Sequence, residues 1–133
     1  MGSHIGEGVA EAPRSQNVAN LAVLFSIAFV LNLVWEFAHV RLYTTKVSSL
    51  FLVWQSVKDA WWILLVFLVS PNPLVMAPIL LVFSWAVERH AITTKRWEYA
   101  PTMPRVLGVG LSPLLELAVT GLVALYIVTL LTA

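Results

Sequence analysis

Four of the seven acidic residues in this 133-residue chain stand alone inside long apolar runs: Glu36, Asp59, Glu88 and Glu116. The other three, Glu7, Glu11 and Glu98, lie in polar stretches. The neighbours of the four repeat at helical spacing. Asn32, Glu36, His39 and Tyr43 follow i, i+4, i+7, i+11, which is one stripe of a helix. Gln55, Asp59 and Trp62 make a second stripe, with Lys58 at its edge. Ser84 and Glu88 share a face, and Gly108, Ser112, Glu116 and Thr120 recur every fourth residue. The opposite faces are Leu, Val, Ile, Ala and Phe.

A carboxylate in hydrocarbon costs roughly 3 kcal/mol or more, and it is tolerated when protonated, paired, hydrated or metal-bound. Three chemistries suit such a set. The first is acid–base catalysis, since carboxyl groups in different surroundings divide into proton donor and acceptor. A donor in a dry cavity can protonate an alkene or epoxide, and aromatic faces steady the resulting cation. Glu36 and Asp59 are then the principal acid and base, Glu116 and Glu88 support them, and His39 tunes or relays protons. Asn32, Trp35, Gln55, Trp62, Trp85 and Ser112 are the expected substrate-binding residues. Of the six tryptophans, most read as an interfacial belt, with Trp35, Trp61 and Trp85 set deeper and better placed for a cavity.

The second chemistry is metal binding. Glu36 and His39 form Glu-x-x-His on one helical face, half of the arrangement in helix-bundle di-metal sites. The matching half is missing, because His90 follows Glu88 by two residues and falls on another face. No cofactor is expected, and Glu36 with His39 is the pair open to a metal. The third is proton-coupled transport by a homo-oligomer, as in small multidrug transporters. Their essential Glu lies near the start of the first helix, whereas Glu36 lies near the end of its own, so this ranks second. A purely structural alternative has Lys58 and Arg89 neutralising two acids while Asn32, Gln55 and Ser112 bond the others.

The elements that must hold these residues are legible from composition. The chain is 59% hydrophobic and 11% charged, with mean hydropathy +0.85. Soluble domains carry about 25% charged residues, so this is a membrane protein. Cysteine is absent, which excludes disulfides and thiolate chemistry. A net charge of +1 excludes nucleic acid as an expected partner. The stretch 1–16 reads as a mobile polar arm, and 17–133 as a single domain of four transmembrane helices. The apolar segments run over about 18–43, 50–69, 74–92 and 106–131. Each is long enough for a ~30 Å hydrocarbon core. The pair Pro71 and Pro73 separates the second from the third. Within the fourth, Gly108 and Gly110 lie near its start, and Pro113 is expected to free a carbonyl near the acidic layer.

Basic residues set the orientation. Arg41 and Lys46 flank the first connection, and Arg89, Lys95, Arg96 and Arg105 the third, while the second has none. By the positive-inside rule these two connections face the cytoplasm and both termini face outward. At 1.5 Å per residue, Glu36, Asp59, Glu88 and Glu116 lie within roughly 6–15 Å of that side. Trp97 and Tyr99 are expected to anchor the third connection at the interface. The expected architecture is an all-α, up-and-down, four-helix bundle, multi-pass in the inner membrane, whose partners are membrane lipids, a lipophilic small molecule and a second copy of itself.

The segments "NLVWEFAHVRLY", "WEYAPTMP" and "GVGLSPLLEL", with the isolated Asp59 between them, resemble a family of small bacterial four-helix inner-membrane proteins. Those carry W-E-x-x-Q-x-x-L-Y, a later Asp, W-x-Y-x-x-x-M-P and G-L-S-P-L-L-Q. The likeness covers most of the chain after residue 30. His39 and Glu116 stand here where glutamine is expected. That family is uncharacterised, so the resemblance implies organisation and no activity, and a metal at His39 would be particular to this chain. "N-x-x-W-E", Asn32 to Glu36, is also similar to a segment of small integral-membrane terpene cyclases. This implies a proton-donor role for Glu36 and an isoprenoid substrate. The combined expectation is an acid–base enzyme of cyclase or isomerase type, with a buried carboxylate site opening toward the cytoplasm.

Overall fold

The computed structural model describes the backbone from residue 14 and the side chains from residue 18, both to residue 133. Four helices carry the chain: α1 Arg14–His39, α2 Ser49–Val69, α3 Pro73–Thr93 and α4 Leu111–Thr132. Each is long and apolar enough to cross a membrane, the pattern of a multi-pass membrane protein. Arg14 to Gln16, expected in the arm, belong to α1; the rest of the arm, 1–13, lies outside the described residues. A single 3-10 turn, Val40–Leu42, extends α1 toward the first connection.

Local chemistry explains the boundaries. Ser48 caps α2, its hydroxyl accepting from the Phe51 N–H at 3.1 Å. Asn72 caps α3 through Leu74 N–H at 3.0 Å, and Pro73 takes the first helical position, where no N–H is needed. α3 ends in a Schellman motif: Arg96 N–H bonds the Ala91 carbonyl and Lys95 N–H the Ile92 carbonyl. Lys95 is therefore left-handed, at φ 59°.

The fourth helix starts later than its hydropathy implies. Residues Arg105–Val106 (β1) and Val109–Gly110 (β2) pair as a minimal antiparallel hairpin. Leu107 and Gly108 turn between them with φ 54° and 79°, the two positive angles of a type I′ turn. Hydropathy cannot see this turn because Val106, Leu107 and Val109 are as apolar as the helix that follows. Gly108 is thus a turn residue and not part of the stripe through Ser112, Glu116 and Thr120. Pro113 falls in the first turn of α4, where a missing N–H leaves no helical carbonyl unpaired, so the expected helix break is absent.

The helices pack with α1 against α2 and α4, and α3 against α4. The apolar core joins Leu24 and Ala28 of α1, Ala60 and Ile63 of α2, Met76 and Leu80 of α3, and Leu117, Ala118 and Ala124 of α4. Gly121 lets three helices converge: a Cβ there would lie 2.9 Å from Leu80 Cδ1 and 3.4 Å from Ile63 Cγ1. This core fills the end of the bundle away from the first and third connections. The polar residues are left to the end where those connections meet.

Candidate functional site

That end contains a cavity of about 130 Å³. Glu36, Asp59, Glu88 and Glu116 all line it, as do His39, Gln55, Lys58, Trp62 and Trp97. The volume suits roughly one six-carbon ring. Phe51, Trp62 and Phe83 supply the apolar wall, and the Trp62 and Phe83 rings lie 4.5 Å apart, centroid to centroid.

Three of the acids form one cluster with His39. His39 Nε2 lies 3.2 Å from Glu36 Oε2 and 3.8 Å from Glu116 Oε1. Asp59 lines the same cavity beside Glu36 and Glu116. Helix α1 thus contributes Glu36 and His39, α2 contributes Asp59 and α4 contributes Glu116. Glu116 is 5% exposed, and its Oε2 is buried without a hydrogen-bond partner. Neither Lys58 nor Arg89 makes an ion pair with these acids; among the described residues the pairs are those of His39.

The histidine is held from behind. Its Nδ1 lies 2.8 Å from Ser112 Oγ, and the Trp35 indole N–H donates to the same oxygen at 3.1 Å. A hydroxyl both donates and accepts, so Ser112 serves either imidazole tautomer. With Nε2–H donating to Glu36, the Ser112 hydroxyl donates to Nδ1 and a continuous chain runs from Trp35 to Glu36. His39 is also a partition. On its far side lies an apolar groove between α1 and α4, floored by Trp35, Ser112 and Thr120.

Glu88 takes a different role. Its Oε1 accepts from Tyr43 O–H at 3.0 Å, Trp97 N–H at 3.0 Å and Tyr99 O–H at 2.7 Å. Tyr99 O–H accepts in turn from the Gly110 N–H at 2.8 Å. Backbone bonds join the two connections alongside: Ala100 N–H to the Leu42 carbonyl and Thr44 N–H to the Glu98 carbonyl. Glu88 therefore ties both connections over the cavity, and it is separate from the carboxylate–histidine cluster. Ser84, one turn away on α3, also lines the cavity, and its hydroxyl is buried and unpartnered.

Several expected substrate-binding residues stand elsewhere. Gln55 and Trp62 do line the cavity. Asn32 is fully buried in the packing layer beneath, donating to the Ala28 carbonyl and accepting from Thr120 O–H. Trp35 and Ser112 stand behind His39 and face the outer groove. Trp85 is 38% exposed, and its indole N–H holds the Leu107 carbonyl of the hairpin turn. Trp61, also expected deeper, is 51% exposed and packs edge-on against Phe25. Trp97 and Tyr99, expected as interfacial anchors, turn inward to Glu88. Their alternation in "WEY" was the available sign, since residues i and i+2 of an extended segment share a side.

The two phenols yield a pH prediction. Burial, then the charge of Glu88, pushes the Tyr43 hydroxyl above the ordinary tyrosine range. Burial likewise raises Tyr99, partly opposed by the Gly110 N–H bond. A phenol that keeps its proton longer when folded adds stability that is complete below about pH 10 and declines as pH rises beyond it. Thermal melts between pH 8 and 11 are expected to show a falling midpoint above about pH 10. The fall should be shallower in Tyr43→Phe and Tyr99→Phe. Equal slopes in all three proteins would contradict the cage.

No family model, curated protein or solved structure matches this chain.

Proposed function

We propose that this chain is an intramembrane acid–base enzyme acting on a lipophilic molecule of isoprenoid type. The observation that carries the reading is the convergence of Glu36, Asp59, Glu116 and His39 from three helices onto one wall of an aromatic cavity. Such a cluster can hold and pass protons beside an aromatic wall. Glu36, bonded to His39, is the member best placed to exchange a proton along the chain from Ser112. Asp59 stands beside it as its counterpart. Glu116 supplies the third carboxyl, and Glu88 keeps the two connections closed over the reacting group. A cavity of about 130 Å³ admits an isoprene-sized head, so a longer tail must stay in the lipid.

Orientation follows from charge. Lys46, Lys95, Arg96 and Arg105 lie in the two connections around the cavity end, and positive residues stay cytoplasmic. The cavity then opens toward the cytoplasm of a bacterial inner membrane, with both chain ends outside. The test replaces Glu36→Gln and Asp59→Asn separately in a host that makes the protein, with lipid and pigment extracts compared by mass spectrometry. Each variant is expected to lose one product and accumulate its precursor, with turnover falling about 10²- to 10⁴-fold. Extracts identical to wild type, with the variants present in the membrane, sink the enzyme reading.

A further inference from the structure

The carboxylate–histidine cluster has more acceptors than the chain has donors for them. Glu36, Asp59 and Glu116 meet with one imidazole and no ion-paired lysine or arginine. Glu116 Oε2 is shielded from solvent and accepts nothing. A buried carboxylate oxygen without a partner forfeits about 1–3 kcal/mol or more, so the position calls for a proton shared with a neighbouring carboxyl or for a bound cation. The unpartnered oxygen belongs to a group already directed at His39 Nε2, 3.8 Å away through its other oxygen.

We infer that Glu36, His39 and Glu116 bind one divalent transition-metal ion. One donor atom from each lies within 4.8 Å of the others. The two separations from His39 Nε2 are already 3.2 and 3.8 Å. Donors at ~2.1 Å on one side of an ion stand roughly 3.0–3.4 Å apart, so the Glu36–Glu116 pair has to close by no more than about 1.8 Å, which side-chain rotation supplies. Two carboxylates and an imidazole on one side of an ion leave the remaining positions facing the cavity. This donor set suits iron, manganese or zinc.

The surroundings complete the site. A ligating histidine donates its other N–H to a fixed acceptor, which sets tautomer and ring orientation. Ser112 Oγ stands at that place, 2.8 Å from Nδ1, and is itself fixed by Trp35. Glu36 and His39 sit at i and i+3 on one helix, so α1 alone presents two ligands in register. Asp59, next to Glu36 and Glu116 but outside the triad, remains the carboxylate that can take or give a proton. The inference rests on the cluster of the acid–base reading and not on its substrate: with the ion bound, Glu36 and Glu116 are ligands and the proton-exchanging role passes from Glu36 to Asp59.

The test uses the full chain in detergent micelles, stripped with a chelator and titrated with Mn²⁺, Co²⁺ and Zn²⁺ separately. Binding of one ion per chain is expected, with Co²⁺ giving visible absorption bands of a nitrogen–oxygen site. Glu116→Gln and His39→Gln should abolish the bands, while Glu98→Gln, at an exposed acid, should keep them. Ser112→Ala, a change to the positioning residue, should weaken binding about 10- to 100-fold and leave the stoichiometry unchanged. Wild-type protein that takes up no ion overturns the inference. So does binding that survives Glu116→Gln and His39→Gln, because the ion then sits elsewhere. Variants that fail to fold do not obscure the first outcome, which needs wild type alone. Altered lipid extracts in Asp59→Asn with no metal in wild type would reject the metal and leave acid–base catalysis standing.

Discussion

Glu88→Ala is expected to destabilise the protein by about 2–4 kcal/mol, the cost of leaving three neutral donors without their common acceptor. Three donors converge on one oxygen of this side chain, and it is 5% exposed. Hydrogen bonds to a charged group contribute about 1.5–3 kcal/mol each, but three on one atom are not independent, so the sum is capped well below their total. The loss is structural as well as energetic. Tyr43 belongs to the first connection, and Trp97 and Tyr99 to the third, so removing Glu88 releases both. The bridge between Tyr43 and Tyr99, and the Gly110 bond that starts α4, go with it. Glu88→Gln keeps an accepting oxygen and should cost only about 1 kcal/mol. Unfolding in detergent followed by tryptophan fluorescence gives the stabilities, and limited proteolysis reports whether the third connection opens. An alanine variant that melts with wild type and stays protease-resistant there would contradict the assigned role.

Glu116→Gln is expected to move stability the other way, raising the melting midpoint of the metal-free protein by several degrees. Two carboxylates with oxygens within 4.8 Å of each other repel by at least about 3 kcal/mol at an effective dielectric of 20. Asp59 adds a third group to the same cluster. A proton offsets part of this repulsion, so a net gain of roughly 1–2 kcal/mol is expected from an uncharged side chain of the same shape. The same substitution removes the acid from the site, so the product lost in Glu36→Gln should be lost here too. Opposite changes in stability and function are what a site held together against its own electrostatics should show. A midpoint unchanged or lowered, measured side by side after chelation, would mean that Glu116 does not strain the cluster.

The four helices were legible from composition because apolar runs of about 20 residues have few alternatives in lipid. Spacing also placed Glu36 and His39 on one face, since i and i+3 neighbours are set by helix geometry within a single element. That all four acids line one cavity followed from their similar depth. Their division into a three-acid cluster and a separate Glu88 cage did not, because it depends on which donors two distant connections deliver. The pairing of residues 42–45 with 98–100 brings Trp97 and Tyr99 to Glu88, and no local pattern carries that information. The start of α4 was misplaced for a related reason: hydropathy is blind to backbone angle, and the positive φ values of Leu107 and Gly108 end the apolar segment as a helix before Leu111. Trp35 and Ser112 show the same division most plainly. Ser112 shares its helix face with Glu116 and Thr120 as its spacing implies, and Trp35 was expected in the cavity, but the rotation of α1 against α4 sets both behind His39. Periodicity along one helix thus determined which side chains travel together. Only packing between helices, where shape and hydrogen bonds choose the rotation, decided what they meet.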